Sequence, residues 1–336
     1  MRALARRLRS DEGVTALLFA LLLPAILGMQ ALTVDATRTF VERRTLQNAV
    51  DAAALAAAVY LPSTDPAVLT QARLAAIDYA GRNGVTIGGS DVTFSTDREA
   101  YDRVAVQAHA DVTFAFAPTF GVTLATVGSQ SVAQLGRLGG MADVLPWGVD
   151  QPVGGFQFGG SYCLKLGSNG GGGACSGAIQ GNFQALDIDN LGTNSASAYR
   201  DRLAGGSDTV VTVGQVKSVI TGNMVGPTQQ GIGCNGNGGR LNGDSSTFDD
   251  VVEDDDEGGG YRVLEWADPH LALVPIVQFT DPSHAEVLGF AVFFIEQCGS
   301  NGAVIGRFID TMVPGGQWSP LSGGSNFGTY MTRLIE

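Results

Sequence analysis

The sequence predicts an α+β protein: a membrane-spanning N-terminal helix runs on into a helical hairpin packed on a small antiparallel sheet, and a glycine-rich, mostly-β domain follows. Three observations predict it. Val14 to Leu32 is a run without a charged residue, long enough as a helix to nearly cross a hydrocarbon core of ~30 Å. Helical patterning then continues, in polar form, to about Leu61. Beyond it the apolar pattern alternates as in strands, and the glycines, 47 in 336 residues, concentrate after residue 138.

Arg2, Arg6, Arg7 and Arg9 flank the apolar run on its N-terminal side, which orients the N-terminus to the cytoplasm and the body outside. A cleaved secretory signal would need a shorter apolar core. Small residues at 25–28 offer a cleavage site, but helical sequence continues well past them, so the reading is an uncleaved single anchor. Its face is represented by Val14, Leu18, Pro24 and Leu32.

The polar continuation carries Asp35, Arg38 and Glu42 at i,i+3 and i,i+4 spacing, each pair worth only tenths of a kcal/mol. Ala49, Ala52, Ala53, Ala56 and Ala57 make a small-residue face against which a second helix can pack. Pro62 stops the first helix, and Ser63-Thr64-Asp65-Pro66 reads as a cap with proline at the first helical position. The second helix spans about 66–82 and ends at Arg82-Asn83-Gly84. Strands are expected at 91–95, 104–112 and 126–135, with His109 a rim residue.

The leader, then Asp11-Glu12-Gly13-Val14, the proline-interrupted apolar run, Val34-Asp35-Ala36-Thr37-Arg38, and the segment from Leu46-Gln47-Asn48 to Asp51-Ala54-Leu55-Ala56 resemble the N-terminus of TadE/TadG-like proteins of the Flp (tight adherence) pilus-assembly system. The residues that carry the resemblance are Gly13, Asp35, Arg38, Asn48 and Asp51. It implies a membrane-anchored assembly component whose partners are Flp/Tad pilus machinery proteins or pilin. Processed pilins of this kind place a glutamate five residues after the cleaved glycine, and Leu18 stands there instead. That departure favours the TadG-like branch and a retained leader.

The division read from the sequence is a cytoplasmic leader (1–12), a transmembrane helix (13–33), the hairpin with its small sheet (34–139) and an extracytoplasmic mostly-β domain (140–336). A net charge of −13 excludes a generic nucleic-acid binder, since no basic stripe exists to meet phosphates. The four cysteines, Cys163, Cys175, Cys234 and Cys298, are even in number and lie in the exported body, which favours two disulfides over a metal site. The expected pairs are Cys163–Cys175, across a glycine-rich hairpin loop, and Cys234–Cys298, tying a polar excursion to an apolar strand. The excursion, 235–260, carries Asp249, Asp250, Glu253 and Asp254 to Glu257; it reads as a solvated loop, and its calcium alternative lacks the ligand spacing of a helix–loop–helix site.

The chemistry of an enzyme is thin. No Gly-x-Ser-x-Gly elbow, His-Glu-x-x-His or Walker lysine occurs, and His109, His270 and His284 are scattered. Asp187 and Asp189 alternate along a strand and could serve a secreted hydrolase, though turn duty beside Asn190 explains them more simply. The expectation is a non-enzymatic protein without cofactor or metal. A surface adhesin or calcium-binding module is the alternative from another class. The last apolar strands, 271–279, 286–296 and 302–313, are expected at the centre of a sheet.

Overall fold

The structure, a computed structural model, describes residues 11–152, 155–166, 177–190, 192, 195–222, 224–234, 238–255, 260–298, 302–321 and 327–335; side chains at 11–13, 120, 165–166 and 255 are not described. The α+β class is the one the sequence predicts.

Helix α1 (Asp11–Ala58) is unbroken over 48 residues, about 72 Å at 1.5 Å per residue. Its first part is uncovered: Leu18, Leu27 and Leu32 are all more than half exposed. The last part buries a stripe at i, i+3, i+4 and i+7 spacing, from Leu46 through Ala49, Val50, Ala53, Ala54, Ala57 and Ala58. Helix α2 (Pro66–Arg82) begins where the cap was expected. The Asp65 carboxylate accepts from Ala67 N at 2.8 Å, and Pro66 occupies the first turn, where no amide is needed. It ends at Asn83, with Gly84 taking φ +79°, a left-handed turn that a side chain would strain. Ala72, Ala76 and Ala80 give it a small buried face.

Strands β1 (Val92–Ser95), β2 (Arg103–Thr113) and β3 (Leu124–Met141) form an antiparallel meander. Val104, Val106 and Ala108 point from β2 to one side and share a core with the alanines of both helices. The strand expected at 126–135 is thus longer at both ends.

Strands β4 (Trp147–Asp150), β5 (Ser161–Leu166), β6 (Ile179–Asp187), β11 (Leu271–Asp281), β12 (His284–Cys298) and β13 (Val304–Ile309) close on themselves in the order β11-β4-β6-β5-β13-β12, with β12 pairing back onto β11. Every ring strand sends residues to one shared core, among them Trp147, Tyr162, Phe183, Ile276, Phe293 and Phe308, all at most 1% exposed. Short β7 (Val211–Thr212) pairs with β3, and β8 (Val216–Val219) bridges β12 and β6. Helices α3 (Ala196–Gly205) and α4 (Val225–Ile232) cap the ring: Trp147 Nε1 donates to Tyr199 Oη at 2.9 Å, and that hydroxyl shares a second hydrogen bond, 3.0 Å, with Thr228 Oγ1.

Two expectations about local structure are corrected. Strands β5 and β6 pair in parallel, so the glycine-rich stretch between them does not join a hairpin; its residues 167–176 lie outside those described. Parallel neighbours need a crossover, which local composition does not reveal. The acidic excursion is folded over 248–255: Thr247 and Asp250 cap a short helix α5 (Phe248–Val251), which leads into a hairpin of β9 (Val252–Asp255) and β10 (Gly260–Val263). Val251, Val252 and the Phe248 ring bury apolar area against the outer face of β12, which offsets the local charge.

The chain then returns to the first sheet. Strand β14 (Thr311–Met312) pairs in parallel with β16 (Thr329–Ile335), β16 pairs with β3 over Val132–Arg137, and β15 (Gln317–Pro320) pairs with β3 on its other edge. Close approach here requires Gly136, since a Cβ would lie 2.3 Å from the Trp318 ring. Leu138 and Met331 meet the outer face of β12, Phe290 and Phe294, in a third core. The central strand β12 is therefore buried on both faces.

Candidate functional site

The residues shared with the pilus-assembly resemblance all lie on α1. Gly13 is helical, Pro24 sits inside the helix, and Val14, Leu18 and Leu32 are exposed. The Pro24 ring removes one internal hydrogen bond, a defect that membrane helices tolerate. Farther along, Thr33, Thr37 and Thr45 return their hydroxyl protons to carbonyls four residues back, so the helix leaves these donors satisfied within itself.

Asp35 is the most constrained of the group. It is 2% exposed, one turn past the apolar run, and its carboxylate accepts from three consecutive backbone amides: Ala115 at 2.7 Å, Phe116 at 3.0 Å and Ala117 at 2.8 Å. These amides open a turn of 3₁₀ helix, 117–120, at the tip between β2 and β3. Burial opposes the charge, but the three N–H donors and the Arg38 guanidinium outweigh it and hold the Asp35 carboxyl below its ordinary value. Helix and sheet are thereby tied at two levels. Farther up, Gln47 Nε2 donates to Asp51 Oδ1 at 2.8 Å and to the Gln130 carbonyl at 3.4 Å, while Ser129 Oγ reaches the Arg43 carbonyl. Arg38 and Asn48 face outward.

Asp187 and Asp189 are engaged by their own chain. Asp187 accepts from Gly192 N at 2.8 Å. Asp189 pairs with Arg202 and accepts from Ser207, which lowers its carboxyl against the cost of burial. Between them the buried Lys217 Nζ donates to the Ile188 carbonyl at 2.8 Å. The arrangement pins the end of β6 to α3 and β8.

Cys234 and Cys298 are disulfide-bonded, with Cα atoms 5.5 Å apart. Cys163 is also disulfide-bonded; Cys175 lies outside the described residues. In the acidic segment Glu253 pairs with Arg262, while Asp256 and Glu257 lie outside the described residues. The sequence reading missed one group, Asp244, Asp268 and His270, whose possible metal-ligand atoms lie within 4.8 Å of one another. Asp268 Oδ1 already accepts from the His270 amide, and the ring stacks on Phe294, so these contacts close the base of the excursion. Asp268 and His270 are two positions apart, but Asp244 stands 24 positions before Asp268, and no short motif links the three.

Fold and site together define an α+β protein led by one helix long and apolar enough to cross a membrane. Residues 13–59 match the model of the Tad family, described as Flp pilus-assembly TadE/G-like, and this segment coincides with α1. The match does not separate the TadE-like from the TadG-like branch. No curated protein and no solved structure gave a significant match.

Proposed function

We propose that this chain is a membrane-anchored component of Flp/Tad-type pilus assembly that acts by protein–protein contact outside the cytoplasmic membrane. The observation that carries the reading is the coincidence of the family match with a helix whose apolar part is uncovered by the rest of the protein. The arginine-rich leader supports a cytoplasmic N-terminus with 34–336 on the far side. Leu18, where processed pilins have glutamate, supports a retained anchor and a TadG-like role. The partners are pilus machinery proteins or pilin, and contact is the mode of action: the candidate carboxylates Asp187 and Asp189 are committed to backbone and side-chain partners of their own fold.

Affinity purification of the tagged full chain from detergent-solubilised membranes tests the reading. Pilus-assembly proteins or pilin should co-purify. Recovery of the chain from membranes without any of them would overturn it. A periplasmic-type reporter fused after residue 150 should be active; a reporter active only in the cytoplasm would reverse the orientation.

A further inference from the structure

We infer that the β2–β3 tip is a second membrane contact, lying in the headgroup region of the bilayer that α1 crosses. This rests on the reading of α1 as an anchor. From Val112 to Gly136 the chain contains no charged residue. The tip nevertheless exposes large apolar side chains: Phe116 is 47% exposed, Val122 49% and Leu124 48%. An exposed apolar cluster on a loop tip costs solubility unless something covers it.

Geometry identifies the cover. The tip is held to Asp35 by three hydrogen bonds from residues 115–117. Asp35 lies three residues beyond Leu32, the end of the apolar run, a rise of about 4.5 Å along the helix. Phe116 is thus fixed at the level where the span meets the interface, where an apolar side chain can bury itself at the headgroup–acyl boundary. The clamp also settles the negative charge nearest the span, while the exposed Asp111 accepts from Thr126 farther back on the β2–β3 ladder. Asp35 is buried under backbone N–H donors and presents no carboxylate to the lipid, while Arg38, exposed on the next turn, suits phosphate headgroups. The register of the exposed apolar tip with the end of the apolar span commits the occupant to lipid.

The described cysteines are all disulfide-bonded, so a single added cysteine can carry a nitroxide label. Full-length Val122→Cys and Leu124→Cys variants, labelled and reconstituted alone in phosphatidylcholine–phosphatidylglycerol vesicles, are compared with Leu27→Cys in the span and the exposed Thr64→Cys in the connection between α1 and α2. We expect both tip labels to be shielded from a water-soluble nickel chelate relative to oxygen, to a degree between that of Leu27→Cys, which is fully shielded, and that of Thr64→Cys, which is open to it. Tip labels as nickel-accessible as Thr64→Cys, with Leu27→Cys lipid-like, would overturn the inference and leave the anchor standing; a protein-binding tip gives this result in pure lipid. A nickel-accessible Leu27→Cys would instead remove the anchor on which the inference depends.

Discussion

At the residue scale the molecule turns on Asp35. Three amides converge on a carboxylate 80 to 82 positions earlier in the chain. An amide side chain at 35 keeps one acceptor but turns a donor toward an N–H. Asp35→Asn should therefore accelerate hydrogen exchange at residues 115–117 by roughly tenfold or more, with little change in β12. Unchanged protection would mean that packing alone holds the tip. The pH dependence has a definite sign. A carboxyl held below its unfolded value of about 3.9 contributes its stabilisation above that pH and loses it as pH falls through the folded value. Protection of the tip should persist at pH 5, disappear on further acidification below about 4, and lose this dependence in Asp35→Asn. The sequence made Asp35 legible as a family residue. Its partners were not legible, because backbone amides leave no trace in residue identity.

At the element scale, small side chains set the distance between α1, α2 and the sheet. Ala53 and Ala76 are fully buried, and neither site has room for added methyl groups in a close-packed core. Ala53→Leu or Ala76→Leu should each destabilise by about 1–3 kcal/mol in thermal unfolding, while Leu74→Ala, at a site 55% exposed, should change little. Equal stability of all three would show that the alanine seam is not tightly packed. These helices were readable from sequence because their signals are local: a cap at Asp65-Pro66, a stop at Asn83-Gly84 and a 3.6-residue period. The parallel pairing of β5 with β6 was not readable. Alternation names the faces of a strand and is silent about its neighbour and direction. The same holds for Thr329–Ile335, a strand whose partner β3 lies almost 200 residues earlier.

At the scale of the whole molecule, the C-terminal strands knit the two larger sheets together and a disulfide fastens the excursion to the ring. The C-terminal strands join the sheet that the N-terminal helix lies on, and β12 is shared between the ring core and the layer beneath. The Cys234–Cys298 bond closes a loop of 64 positions around α5, the acidic hairpin and β11. The chain-entropy argument assigns such a crosslink about 4 kcal/mol. Paired replacement of Cys234 and Cys298 by serine should lower the unfolding free energy of the body by that order. It should first loosen the segment 238–268, whose base is otherwise held by Arg240 donating to the Pro269 and Leu271 carbonyls. A loss below about 1 kcal/mol would show that those hydrogen bonds suffice.

The central claim is that this chain serves Flp pilus assembly through an anchored N-terminal helix. Its most direct test is pilus production in cells from which the gene has been deleted. The account predicts loss of surface Flp pili, restored by the full chain and not by residues 34–336 exported behind a cleavable signal. Normal piliation in the deletion strain, or full rescue by the exported body without its helix, would contradict it.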